Sequence, residues 1–511
     1  MKSRRYESQN IMDNSGRIKE TELDSYNLCD GSLKANVAIK KREGECIKSY
    51  FLEVPKWKEG TEAFVEDIKA EILKKVKITT QEALNIRILD EVRGKFLSLA
   101  RSMILDALPH ISEEEADAIS RKIIQDMLGL GDIEFFIKDD NIEEICVNGA
   151  SQPIWVYHRK HGWLKTNISI ASENQIWNYA SAIARGAGRQ INVLSPFLDA
   201  YLPTGDRVNA TLFPISYFGN TITIRKFARK PWTITDYLTT KTLSLEVAAI
   251  LWLAVQYETN ILISGGTGSG KTSLLNVLSM FIPPNQRVTS IEQTRELTLP
   301  PTFQWVPLVV REPTSEGMGK VSMLDLLINS LRMRPDRILV GEIRREEEAQ
   351  VLFEAIHTGH SVCATMHAET VSETVKRLLN PPFSIPPVMV ESLHLIIPMY
   401  RDRKSNIRRI FEIGEVLPSE REGIKERIIY RWRPYKDAIV AVEPSVRFIE
   451  AIKTYTNISD TEIKSDLKEK EEVLQFMVEK NINSVEGVGN IISDYYDSQS
   501  SLLTKIRKKQ I

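Results

Sequence analysis

Asn260-Ile261-Leu262-Ile263-Ser264-Gly265-Gly266-Thr267-Gly268-Ser269-Gly270-Lys271-Thr272-Ser273 decides how the rest of the chain is read. Ile261 to Ile263 is an apolar run that reads as a buried strand. Gly265 to Thr272 spells G-x-x-x-x-G-K-T. From Ser273 to Phe281 apolar residues recur at helical spacing, and Pro283-Pro284 stops them. Strand, glycine loop and helix in that order are the context of a P-loop. The glycines let successive backbone N–H groups converge on phosphate oxygens, and the helix N-terminus adds its positive dipole end. The expected nucleotide-binding set is Gly265, Gly266, Thr267, Gly268, Ser269, Gly270, Lys271, Thr272 and Ser273. Lys271 is expected to reach the β- and γ-phosphates, and the Thr272 hydroxyl to bind Mg²⁺.

A chain of 511 residues predicts about three domains, or two large ones. Its apolar content of 42% and charged content of 26% are ordinary for globular protein. With 67 basic against 68 acidic residues, global charge offers no argument for nucleic acid. The four cysteines, Cys29, Cys46, Cys146 and Cys363, form no C-x-x-C pair, so neither a zinc ribbon nor a disulfide framework is suggested. Met1 to Glu7 lacks the apolar core of a signal peptide. The longest apolar runs, such as Val247 to Val255, are about half of a membrane span. The expectation is a soluble cytoplasmic protein without a transmembrane segment, whose membrane contact is peripheral.

Outward from the P-loop the pattern alternates. Helices are expected at Leu245–Gln256, 272–281, Met323–Arg332, Glu346–His357 and Thr370–Leu379. Strands are expected at 260–264, Val288–Ile291, Ile338–Val340 and Ser361–Met366. Such alternation predicts a parallel, doubly wound sheet, with residues 393 to 511 forming a strand set and a helical tail. Upstream, residues 1–45 read as a mobile polar tail. Residues 47–76 read as a short strand and a helix, and Gln81 to Leu128 as mostly helical. Pro109 breaks that run and Ser112-Glu113-Glu114-Glu115 restarts it. Ile145 and Val147 lead into a hairpin at Asn148-Gly149. A helix from Glu173 to Ala187, a loop through Pro196 and Asp199, and strands 206–213 and 221–227 complete an α+β domain. The domains are therefore drawn as a tail (1–45), an α+β domain (46–230), a linker (231–240) and a P-loop domain (241–511).

Further chemistry is spread along the chain. Asp336-Arg337-Ile338-Leu339-Val340-Gly341-Glu342 ends an apolar strand in a carboxylate suited to a metal's water shell or the attacking water. Ser290-Ile291-Glu292-Gln293-Thr294-Arg295-Glu296 places Glu292 and Glu296 near the sheet edge where α/β proteins bind ligands, and one of them is expected to act as general base. Three of seven histidines fall in His357 to His367. Their spacing is not that of a zinc site, and His360 and His367 lie at opposite ends of one strand. Arg207, Arg225 and Arg229 precede the linker as candidate sources of transition-state charge.

In their order and spacing these segments resemble the secretion ATPases of type II and type IV systems, type IV pili and archaella. Gly265–Thr272 is similar to the family's Walker A, Ile291–Glu296 to its Asp box, Leu331–Arg344 to its Walker B, and Thr358–Ala368 to its His box. Leu128-Gly129-Leu130-Gly131, Asn141–Ile145 and Leu202–Val208 resemble the N-terminal domain of the archaeal branch. Gln293 departs from the pattern, standing where the family usually has Asp. The resemblance implies a RecA-like P-loop domain behind an α+β domain, ATP and Mg²⁺ as cofactors, and a homo-hexameric ring with nucleotide between the domains. It implies catalytic roles for Lys271, Glu296, Glu342, His360 and His367, metal binding by Thr272 and Glu342, and contributions from Arg207 and Arg225. A polytopic membrane platform protein at the inner face of the cell membrane is the implied partner, and nucleic acid is not. The function so implied is an ATPase powering pilus-like or archaellar assembly. The alternatives are a low-turnover nucleotide-binding scaffold and a nucleic-acid translocase.

Overall fold

The computed structural model describes residues 20–54, 59–75, 86–227, 230–311, 313, 318–402, 404–405, 407–419 and 423–508. The chain divides into two units at 229/230.

The first unit is built on nine strands: β1 (Glu20–Asp30), β2 (Leu33–Arg42), β3 (Lys48–Glu53), β4 (Ile142–Val147), β5 (Pro153–His158), β6 (Gly162–Ser169), β7 (Phe197–Tyr201), β8 (Arg207–Thr211) and β9 (Thr221–Arg225). Their spatial order is β1-β2-β3-β6-β5-β4-β9-β8-β7. β3 pairs with β6 in parallel and the other neighbours are antiparallel. Residues 20–42 of the expected tail are therefore a hairpin of this sheet, and residues 1–19 lie outside the described residues. Leu33, Ala35, Val37 and Ile39 alternate inward and are buried, which is the period-2 signal of a half-buried strand. β1 is the edge strand, so its mostly outward-facing polar residues read as a tail. The expected loop through Pro196 and Asp199 contains β7. Helices Glu59–Lys75, Ile86–Ala107 and Glu113–Leu128 pack through Ile72, Phe96, Ile104 and Ile123. The last begins at the anticipated cap: Ser112 Oγ accepts from Glu115 N, and Glu115 Oε2 accepts from Ser112 N, at 3.2 Å each. Gln81 to the residue before Ile86 lies outside the described residues.

The second unit starts sooner than the expected linker allows. Residues Ile234–Thr239 form a helix, with the Asp236 carboxylate accepting from Thr233 N at 2.9 Å and from Thr233 Oγ1 at 3.0 Å. Ile234 and Tyr237 are buried in the core. Pro231 lies in the stretch read as a linker, but proline is tolerated just ahead of a helix, where no intrahelical donor is lost.

The sheet of this unit places β10 (Ile261–Gly265), β11 (Arg287–Glu292), β12 (Gln304–Val309), β13 (Arg337–Val340), β14 (Ser361–Met366) and β15 (Leu395–Arg401) in the order β12-β11-β13-β14-β10-β15. All five pairings are parallel. β16 (Arg408–Ile410) folds back on β15, and β17 (Glu412–Ser419), β18 (Gly423–Arg433) and β19 (Ala438–Ala441) extend the sheet antiparallel. β10, β13 and β14 are buried at every position, because helices cover both faces of a parallel sheet. One face carries Leu245–Gln256 and Lys271–Ser279, with the C-terminal helices Asp460–Glu479 and Val485–Arg507 behind them. The other carries Met323–Ser330, Glu346–His357 and Val371–Leu379. Trp252 explains why the run from Val247 to Val255 is a core helix: it is fully buried, stacked on Phe281 at 5.1 Å, and donates from Nε1 to Tyr496 Oη at 3.0 Å. Among the described residues no helix is long and apolar enough to cross a membrane. The unit is the expected RecA-like P-loop domain.

Candidate functional site

The P-loop joins the C-terminal end of β10 to helix Lys271–Ser279. Gly265, Gly268 and Gly270 have φ of +150°, +71° and +97°. Side chains rarely adopt such values, and a Cβ on Gly265 would also meet Ser269 Oγ at 2.5 Å and Met399 O at 2.6 Å. Ser269 Oγ is buried and makes no hydrogen bond. A loop of strained glycines with an unused hydroxyl and the open N-terminus of a helix fits a phosphate group. Lys271 Nζ lies across the loop, donating to Gly265 O at 3.0 Å and Gly266 O at 3.1 Å.

From Lys271 a line of charged and polar groups runs along the strand ends. Its Nζ is 3.4 Å from His367 Nδ1, and His367 Nε2 is 2.6 Å from Glu342 Oε1. An ammonium at Nδ1 requires that nitrogen to accept, which leaves the proton on Nε2; the approach of Nε2 to Glu342 Oε1 is a charge contact without hydrogen-bond geometry. Burial first, and the Lys271 charge second, hold the imidazole below its ordinary pKa against the pull of Glu342. Arg344 then grips Glu342 Oε2 from Nη2 at 2.6 Å and from Nε at 2.9 Å, and donates through Nη1 to Gln293 Oε1. Arg377 fixes the far end, donating to His367 O at 2.6 Å. The parallel register brings these together: Ser264 pairs with Met366 and Val340 with Ala364, so Gly265, Glu342 and His367 all emerge at one edge. The Thr272 hydroxyl and the Glu342 carboxylate are oxygen groups of the kind that could hold a hydrated divalent cation.

Glu292 ends β11 beside this edge. It is 1% exposed, and its Oε1 accepts from Glu296 N at 2.8 Å and Leu297 N at 3.0 Å. Burial pushes its carboxyl up to about 7, against those two backbone bonds. It is therefore covered by its own loop, which leaves Glu296, half-buried, as the carboxylate of that pair.

A family profile described as Type II/IV secretion system protein matches residues 126–406. The chain belongs to that family. An uncharacterised protein of Methanocaldococcus jannaschii is 38% identical over 350 residues, 67% of this chain and 46% of that one, so this chain spans under half of that relative's length. The type IV secretion system protein PtlH of Bordetella pertussis is 32% identical over 330 residues, covering 60% of this chain and 94% of that one. Among solved structures, the VirB11 ATPase from the Brucella suis type IV secretion system aligns at 26% identity and a TM-score of 0.29, over 55% of this chain and 95% of that one.

The structure of this secretion-family chain gathers Lys271, Thr272, Glu342 and His367 at one edge. It does not bring His360 there. His360 precedes β14, at the opposite end of the strand from His367, and its Nδ1 lies 3.1 Å from Thr358 Oγ1 and 3.2 Å from Ala355 O. Arg207 and Arg225 belong to the first unit and face each other across β8 and β9. Asp199 holds Arg207 in a bidentate pair at 3.0 and 2.5 Å, and Arg225 is exposed. Arg229 lies outside the described residues. Ser273 pairs with the Tyr237 hydroxyl. Sequence reasoning gave no role to Arg344, Arg377, Arg401 or Arg408. Arg408 Nε donates to Gly268 O at 3.2 Å, and a Cβ on Gly268 would meet Arg401 Nη1 at 2.6 Å. The available signal was the basic run from Arg401 to Arg409 after an apolar strand.

Proposed function

We propose that this chain is a Mg²⁺-dependent ATPase that converts hydrolysis into domain motion for assembling a type IV pilus-like or archaellar filament. In this reading it acts as a homo-hexamer at the cytoplasmic face of the cell membrane, against a polytopic membrane protein. What supports the enzymatic core is one observation: Lys271, His367, Glu342 and Arg344 form a continuous line beginning at the P-loop. ATP supplies the phosphoanhydride that is cleaved, and Mg²⁺ neutralises its charge. Lys271 exchanges two carbonyl partners for phosphate oxygens. His367, carrying its proton on Nε2, orients Glu342, and Glu296 takes the proton of the attacking water. By likeness to the family, Arg207 and Arg225 add positive charge during turnover. Membership of the secretion family and the PtlH likeness support the assembly role.

The test is phosphate release with and without Mg²⁺ by the wild type, Lys271→Ala and Glu342→Ala. Equal rates in all three contradict the enzymatic reading. A second reading, a nucleotide-binding scaffold of low turnover, is favoured by Arg344 engaging both Gln293 and Glu342. ATP binding without hydrolysis in the presence of membranes carrying the partner would select it.

A further inference from the structure

Glu292 is buried, acidic and unused by the chemistry above. The segment after it, Gln293 to Leu297, belongs to no helix or strand. Backbone N–H groups in such a segment need partners from elsewhere. Glu292 Oε1 takes two of them, those of Glu296 and Leu297, at 2.8 and 3.0 Å. Leu297 is itself fully buried, so Glu296 is held between a hydrogen-bonded N–H and a core side chain. One residue further, Thr298 N donates to Asn276 Oδ1 at 2.7 Å, and Asn276 is on the helix that begins with Lys271. At the other end, Gln293 is gripped by Arg344. On the β13 side the Glu292 side chain packs against Gly341, where a Cβ would lie 3.4 Å from Glu292 Cγ. The turn carrying Glu296 is thus pinned at three points, and two of its anchors belong to the P-loop helix and to the segment holding Glu342.

We propose that Glu292 is the positioning residue for Glu296. Its carboxylate replaces the missing secondary structure of the turn and fixes where the Glu296 backbone stands relative to the P-loop helix. The proposal rests on the hydrolytic reading of Glu296. A misplaced general base costs turnover while leaving the phosphate cradle intact. It also predicts that removing Glu292 matters only while Glu296 is present, because residues acting as a unit are non-additive.

The experiment is steady-state ATP hydrolysis and binding of a fluorescent ATP analogue for the wild type, Glu292→Ala, Glu292→Gln, Glu296→Ala and the Glu292→Ala/Glu296→Ala double variant. Glu292→Ala is expected to lose about 10- to 100-fold in kcat, with affinity for the analogue within about 3-fold. Glu292→Gln keeps an acceptor oxygen and recovers most of that loss. The double variant is no slower than Glu296→Ala. Losses that multiply, an affinity that falls in step with kcat, or a Glu292→Ala enzyme at full rate would each overturn the proposal alone. A wild type that binds but never hydrolyses overturns the reading of Glu296 and this proposal with it.

Discussion

The two edges of the parallel sheet carry similar residues and use them differently. At the N-terminal edge, Arg337 is 2% exposed and fully engaged: Nη1 donates to Ser361 Oγ at 2.7 Å, Nη2 to Val255 O at 2.6 Å, and Nε to Gln286 Oε1 at 2.7 Å. Gln286 passes the contact on to Glu258 at 2.6 Å. Asn260 receives Val362 N and donates to Ser392 O, and its own N–H goes to His394 Nδ1 at 3.0 Å. Burial holds His394 down to about 4, so it is a neutral acceptor at neutral pH. These groups close on one another. At the C-terminal edge, Ser269 Oγ and Glu292 Oε2 are buried without partners, and Lys271, His367, Glu342 and Arg344 form an open line of charge. Buried polar groups are ordinarily satisfied, yet Gln256 Oε1 and Arg287 Nε at the N-terminal edge also lack partners, so what distinguishes the site from the scaffold here is the open line of charge, found where parallel sheets bind ligands.

Substitutions on the two edges should therefore fail in different currencies. The largest effect is expected from Glu342→Gln: turnover falls by about 100-fold or more while unfolding by urea is nearly unchanged. A matching loss of stability would erase the contrast. Arg337→Ala is expected to do the reverse, costing about 3 kcal/mol of stability because two buried acceptors, Ser361 Oγ and Val255 O, and the half-buried Gln286 Oε1 lose their donor. The check is the urea midpoint, with kcat measured below the transition. A pH-dependent effect separates Glu292 from the N-terminal edge. Its folded pKa of about 7 exceeds the ordinary 4.5, so its stabilising contribution is complete below pH 4.5 and is lost as pH rises through 7. The nearby charges are Glu296, which raises it, and Arg295, which lowers it. Relative to Glu292→Gln, the wild type should lose on the order of 3 kcal/mol between pH 4.5 and 7.5, seen in paired urea titrations.

Much of the C-terminal edge was legible because each part is local. The glycine loop, the strand Arg337–Val340 that leads to Glu342, helix Glu346–His357 and strand Ser361–Met366 sit where periodicity and caps put them. What escaped depends on register between distant segments. Arg344 was visible two residues after Glu342, yet its bond to Gln293 needs β11 and β13 side by side. Arg408 reaches Gly268 only because β16 folds back along β15, next to β10. In the first unit, β1 was hidden by the polar face that an edge strand turns to water, and β12 by Pro307 in the second. The helix at Ile234–Thr239 carried its capping pair, Thr233 and Asp236, in plain view, but it falls in the stretch read as a linker.

β14 offers the most direct test, because it places one histidine at each edge. The measurement is phosphate release at saturating Mg²⁺ and ATP by His367→Ala and His360→Ala. A site confined to the C-terminal edge predicts a loss of about 10-fold or more for His367→Ala and under about 2-fold for His360→Ala. Equal losses, or the larger loss at His360, would contradict it.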